Sequence, residues 1–92
     1  MRPVNYNSLS WQERREVRAE YVRHQGGNCY HCGAPLCSSP SKKVVETRIN
    51  KRLFPAAFFD HAVHLHHDHA TGMTIGAVHA KCNAVLWQYH RK

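Results

Sequence analysis

The sequence is short of acid, proline, glycine and any long apolar run. No stretch approaches the roughly 20 consecutive apolar residues of a membrane span. The polar start, Met1-Arg2-Pro3-Val4-Asn5, lacks the apolar stretch of a signal peptide, so the expectation is a cytoplasmic chain with no membrane partner. With four prolines and five glycines in 92 residues there is no low-complexity tract, and no internal repeat is visible. Only 6 Asp and Glu stand against 13 Lys and Arg, a net charge of +7 and a pI near 9.6. That deficit of acid favours a polyanionic partner, nucleic acid before an anionic membrane surface, with plain solubility as the alternative. At 42% hydrophobic and 21% charged residues the chain is too polar for a membrane protein and too apolar for a disordered one.

A chain of this length is one domain, 1–92, burying about 60 to 65% of its unfolded surface. Its four cysteines, in a reducing compartment, point to metal ligands or free thiols rather than disulfides, and a metal commonly reinforces so small a core. Ser10-Trp11-Gln12-Glu13 is a capping box that should open a helix running to Gly26-Gly27. Trp11, Val17, Tyr21 and Val22 would supply its apolar face. Arg14, Arg15, Arg18 and Arg23 project from the same helix, making residues 1–28 a basic N-terminal element. They read equally as a solvated face with helical Glu partners or as a phosphate-contacting face.

Cys29-x-x-Cys32-Gly33 reads as a metal knuckle, with a glycine that lets the backbone turn. Val44-Val45-Glu46-Thr47 has the composition of a short strand, and Leu53-Phe54-Pro55 with Phe58-Phe59 is expected as core around a proline break. Lys42, Lys43, Arg48, Lys51 and Arg52 form a second candidate phosphate surface. From Ala62 to His66 small or apolar residues alternate with histidine, as in a strand. A loop over 67–72, a returning strand over 74–78 and a helix from Ala80 to about Tyr89 complete a strand, strand, helix order.

His79-x-x-Cys82 pairs with Cys29-x-x-Cys32, and two short-spaced pairs can close a tetrahedral zinc site. Cys37 is the alternative to His79 as fourth ligand; paired short spacings favour His79. Six of the nine histidines fall between 61 and 79, a density that neither a loop nor a core needs. Imidazole ligates divalent ions and takes protons near neutral pH, so neighbouring histidines can divide those tasks. A redox use of Cys29-x-x-Cys32 finds no βαβ context.

His64-Leu65-His66-His67-Asp68-His69, followed by Thr71-Gly72, Gly76, His79-x-x-Cys82 and Asn83, resembles the HNH, or ββα-metal, endonucleases, especially the phage recombination endonuclease VII group. The resemblance covers the knuckle and residues 62 to about 89. It implies an α+β, zinc-stapled ββα-metal core over 29–92. It also implies a general base at His67, catalytic-metal ligands at Asn83 and His66, a phosphate contact or loop brace at His69, and structural zinc on Cys29, Cys32, His79 and Cys82. His64, on the His66 face, becomes a supporting partner, and His61 carries less weight. Two positions depart from the family: His66 stands where that group has aspartate, and His79 where many relatives have cysteine. An imidazole at 66 favours Mn²⁺, Ni²⁺, Co²⁺ or Zn²⁺ over Mg²⁺; colicin-type nucleases are similar in using histidine.

The implied activity is hydrolysis of DNA to 5′-phosphate and 3′-hydroxyl ends by an endonuclease or nickase. The alternative is a zinc-stabilised nucleic-acid-binding module that has lost cutting. Contacts would be mainly to phosphates, with weak sequence preference. By the resemblance the protein is expected to be phage encoded and to act in the host cytoplasm. With no long arm after the last helix, nicking by a monomer is expected rather than junction resolution by a dimer.

Overall fold

The structure, a computed structural model, describes residues 1–90. Its regular elements are α1 (Trp11–His24), α2 (Lys42–Glu46), β1 (Val63–His67), β2 (Thr74–His79) and α3 (Ala80–His90), with 3₁₀ turns at Tyr6–Ser8, Lys51–Leu53 and Ala56–Phe59. This is a small α+β arrangement whose strand, strand, helix order lies within one residue of expectation at each boundary. No helix among the described residues is long and apolar enough to cross a membrane.

The expected capping box opens α1. Ser10 Oγ accepts from the Glu13 amide at 3.2 Å, and Glu13 Oε1 accepts from the Ser10 amide at 2.9 Å. The helix closes where the amides of Gly26 and Gly27 donate to the carbonyls of Arg23 and Val22. Its buried side is narrower than the sequence implied: Tyr21 is buried and Val17 and Val22 pack beside it, but Trp11 is 68% exposed. Trp11 falls on the stripe of Arg14, Arg15 and Arg18, three and four residues apart, and that stripe lines a cleft.

β1 and β2 pair antiparallel from Val63–His79 to His66–Gly76. The register then slips, so that His67 pairs with Thr74 and Ile75 is left over as a bulge, a feature that sharpens local twist and re-aims side chains. The outer edge of β2 is occupied. The Thr74 amide donates to the Val4 carbonyl (2.8 Å) and the Tyr30 amide to the Ala77 carbonyl (3.0 Å), while the Gln25 side chain bonds both the N–H and C=O of Ala77. Thr74 Oγ1 accepts from the Val4 amide and bonds the Tyr21 hydroxyl at 2.8 Å. One buried hydroxyl thus joins the N-terminal segment, α1 and β2. Among the described residues no backbone pairs with the outer edge of β1.

Leu65, Ala77, Val78, Val85 and Leu86 form the centre of the core, and Cys29 and Cys82 are buried in the same cluster. Two expectations between residues 36 and 60 are corrected. Residues 44–47 are not a strand: Val44 and Val45 lie in α2, with Val44 buried, Val45 50% exposed and the Thr47 hydroxyl donating back to the Lys43 carbonyl. Packing overrides β propensity there: α2 lies on α3 and places Val44 in the core. Nor are the aromatics of 53–59 core. Leu53 is 46% and Phe59 36% exposed, and Phe54 and Phe58 are half-buried in a surface cluster against Trp87 of α3.

Candidate metal centre and catalytic cleft

Cys29 and Cys32 on the knuckle meet His79, the last residue of β2, and Cys82 in the first turn of α3, with all four ligand atoms within 4.8 Å of one another. The set can hold a metal ion such as zinc. Cys37 is exposed and outside it, which decides the fourth ligand in favour of His79. The His79 ring is preset for the task. Nε2 lies 2.9 Å from the Pro35 carbonyl, which can only accept, so Nε2 carries the proton. Nδ1 is left to face Cys32 and Cys82 at 3.5 and 3.6 Å, the arrangement that fixes the tautomer of a ligating histidine. A hydrogen bond shared with Cys82 holds the Cys29 thiol well below its usual range and pushes Cys82 up. Crowded buried thiols of this kind are satisfied as thiolates around a cation.

The knuckle is seated on β2 through Gly76. A Cβ at position 76 would stand 2.8 Å from Tyr30 Cγ and 2.9 Å from Tyr30 Cβ, so only glycine allows the loop this close.

The predicted catalytic residues converge beside this centre. His64 and His66 share one face of β1, and Asn83, directly after Cys82, reaches them from α3. Asn83 Nδ2 donates to His64 Nδ1 at 3.0 Å, and its side chain also hydrogen-bonds His66. With Nδ2 turned to His64, the amide oxygen is the atom offered to His66. His66 is 3% exposed, and burial lowers its pKa against the opposing bond from Asn83. Burial likewise lowers His64 and His67. The three rings are therefore neutral near pH 7.

His67 stacks on Tyr6, ring centroids 3.9 Å apart and 7° from parallel, and meets the His69 ring edge-on at 4.9 Å. Arg14 covers the other side: its guanidinium carbon lies 3.9 Å from the Tyr6 centroid and its Nε donates to the Tyr6 carbonyl. His67 Nδ1 is buried without a hydrogen-bond partner, an orphaned atom of the kind that marks a missing partner in a working site. Tyr6 is the residue that sequence reasoning missed. Nothing local marks it; it reaches His67 because its amide donates to the Gly72 carbonyl at 2.8 Å. Gly72, at φ 78°, holds a turn in which a Cβ would lie 2.7 Å from Asn5 Oδ1.

Asp68, the acid within the histidine run, is spent on the loop. Its Oδ1 accepts from the amides of Ala70 and Thr71 at 2.8 and 3.0 Å, bonds that hold its carboxyl below the usual range. The donors left are imidazoles and an amide oxygen, a set that fits a borderline divalent ion better than Mg²⁺. His66 and Asn83 are the residues that could hold one.

A cleft of about 720 Å³ is lined by His61, His64, His67, His69 and Asn83 together with Arg14, Arg15 and Arg18, and buried His66 is not part of its lining. The second basic set is elsewhere. Lys42, Lys43, Arg48, Lys51 and Arg52 lie outside the cleft lining, and Lys42 lies 3.8 Å from Glu46 as a surface pair. No known protein family, curated protein or solved structure matches the chain.

Proposed function

We propose that this protein is a small metal-dependent endonuclease of the ββα-metal type that hydrolyses DNA phosphodiester bonds, with the cysteine and histidine centre as structural zinc. The observation that carries the reading is the meeting of His67, His69 and Asn83 with three arginines around one cleft, with buried His66 next to Asn83. Neutral His67, kept so by burial, takes the proton from a water placed in line with the scissile phosphorus. The Tyr6 and Arg14 stack fixes the plane of its ring. Arg14, Arg15 and Arg18 bind the flanking phosphates. His66 and Asn83 would hold the divalent ion, whose charge offsets that developing on the 3′ oxygen. His64 orients the Asn83 amide. The products are 5′-phosphate and 3′-hydroxyl ends. Zinc joins the knuckle to the start of α3 and so holds Asn83 against β1.

The test is nicking of supercoiled plasmid by zinc-replete protein with Mg²⁺, Mn²⁺, Ni²⁺ or Co²⁺ added in turn. Cutting that needs both an added ion and His67 supports the reading, and preference for a borderline ion assigns His66 as ligand. No cutting with any ion, together with tight salt-sensitive binding, supports the DNA-binding module instead.

A further inference from the structure

The two edges of the hairpin differ. Along the outer edge of β2, Ala77 turns its amide to the Gln25 side chain and its carbonyl to the Tyr30 amide, and the Thr74 amide is taken by Val4. In an antiparallel ladder opposed residues turn their backbone groups either toward each other or both outward. Leu65, opposite Ala77, and His67, opposite Thr74, therefore carry N–H and C=O on the outer edge of β1, and by period two so does Val63. The amides of Ala80 and Asp68, bonded across the hairpin to the carbonyls of Ala62 and Met73, fix the complementary phase. Among the described residues no backbone pairs with this second edge. β1 reads Val-His-Leu-His-His, without the lysine, acid or proline that blunts an exposed edge.

The edge opens into the catalytic cleft. Val63, His64, Leu65 and His67 all line it, although neighbours on a strand point to opposite faces; a cavity that meets both faces runs along the edge between them. From Val63 to His67 that edge is about 14 Å long at roughly 3.4 Å per residue. Arg14, Arg15 and Arg18 line the same cleft. A row of alternating donors and acceptors matches the backbone of an extended peptide, which offers both, whereas phosphates only accept. A second copy of the chain, paired edge to edge, would bring three more arginines and a further charge of +7, and the two would repel. The arginines select acidic side chains instead. We infer that the outer edge of β1 takes an extended acidic segment of a partner protein as a third strand, which fills the cleft and keeps DNA out. That the segment blocks cutting rests on the nuclease reading above; its binding does not.

The experiment titrates a fluorescein-labelled peptide of alternating glutamate and valine with the full zinc-loaded chain and follows anisotropy. Beside it run the same peptide N-methylated at its central amides, which keeps every charge but cannot pair, and a peptide with lysine in place of glutamate. The plain peptide should bind and compete with a duplex oligonucleotide. N-methylation should weaken it about tenfold or more, since several backbone hydrogen bonds go, and the lysine peptide should not bind. Val63→Pro deletes one outward N–H and no ladder bond. It should weaken the peptide about two- to tenfold and leave duplex affinity unchanged, with zinc content as the check on folding; the N-methylated peptide decides the matter if that variant does not fold. Equal affinity for the plain and N-methylated peptides would overturn the inference, as would a duplex that binds where the plain peptide does not. Peptide pairing in a protein that cuts nothing supports the edge and sinks the nuclease; cutting by a protein that ignores the peptide does the reverse.

Discussion

Gly76→Ala should loosen the metal centre without touching a ligand. The added Cβ would lie 2.8 and 2.9 Å from Tyr30 Cγ and Cβ and 3.0 Å from Gln25 Oε1, against an ordinary carbon contact of about 3.5 to 4.0 Å. Tyr30 must retreat by roughly 0.7 Å or more. It cannot do so by rotating its ring, since its Cβ is itself in contact and its amide is bonded to Ala77. The knuckle backbone has to move, and it carries Cys29 and Cys32 away from His79 and Cys82. Zinc distances tolerate only about 0.2 Å, and overpacking costs typically about 1 to 3 kcal/mol. The zinc dissociation constant should therefore rise about 5- to 150-fold, and the zinc-loaded melting temperature should fall by roughly 4 to 8 °C per kcal/mol. Competition with a chromophoric chelator and thermal melts read both. A double-mutant cycle with Tyr30→Gly isolates the clash, because the cost of the added methyl should largely vanish once that side chain is gone. Unchanged zinc affinity and melting in Gly76→Ala would refute the docking of the knuckle on β2.

Cys82→Ser should lose zinc and cooperative folding together, whereas Cys37→Ser, at an exposed site outside the cluster, should bind zinc as the parent does; metal content and circular dichroism distinguish them. Replacing Arg14, Arg15 or Arg18 with Ala should each lower the salt slope of DNA binding by about one phosphate contact, while Lys42→Ala should leave it unchanged, as anisotropy titrations would show. Because burial depresses His64, His66 and His67 in the fold, the unfolded chain binds the protons first as pH falls below about 6.5. Stability should be full above that value and decline below it. Urea midpoints between pH 7.5 and 6 should show a shallower decline in His64→Gln, and equal slopes would place His64 in solvent.

What the sequence displayed was what short-range chemistry decides. Ser10 and Glu13 cap each other within one turn, so the start of α1 was readable to the residue. The paired short spacings at 29/32 and 79/82 named the metal set, and the alternation from 62 to 66 with the turn at Gly72 set the hairpin. What stayed hidden depends on partners far along the chain. Val44 and Val45 have strand propensity, but Val44 enters the core from a short helix packed on α3. Phe54 and Phe58 are apolar enough for core but lie on the surface against Trp87. Tyr6 stacks on His67, far along the chain, brought there by the bond from its amide to Gly72 and by the pairing of Val4 with Thr74 beside it. Trp11 looked like part of a buried stripe and instead flanks the arginines.

The central claim is that His67 acts as a base in DNA hydrolysis, and single-turnover cleavage of an end-labelled strand tests it most directly. Wild type and His67→Ala, matched for zinc content and assayed with the best divalent ion, should differ by about 10²- to 10⁴-fold. The wild-type products should be ligatable 5′-phosphate ends. An equal rate in the His67→Ala protein would contradict the account.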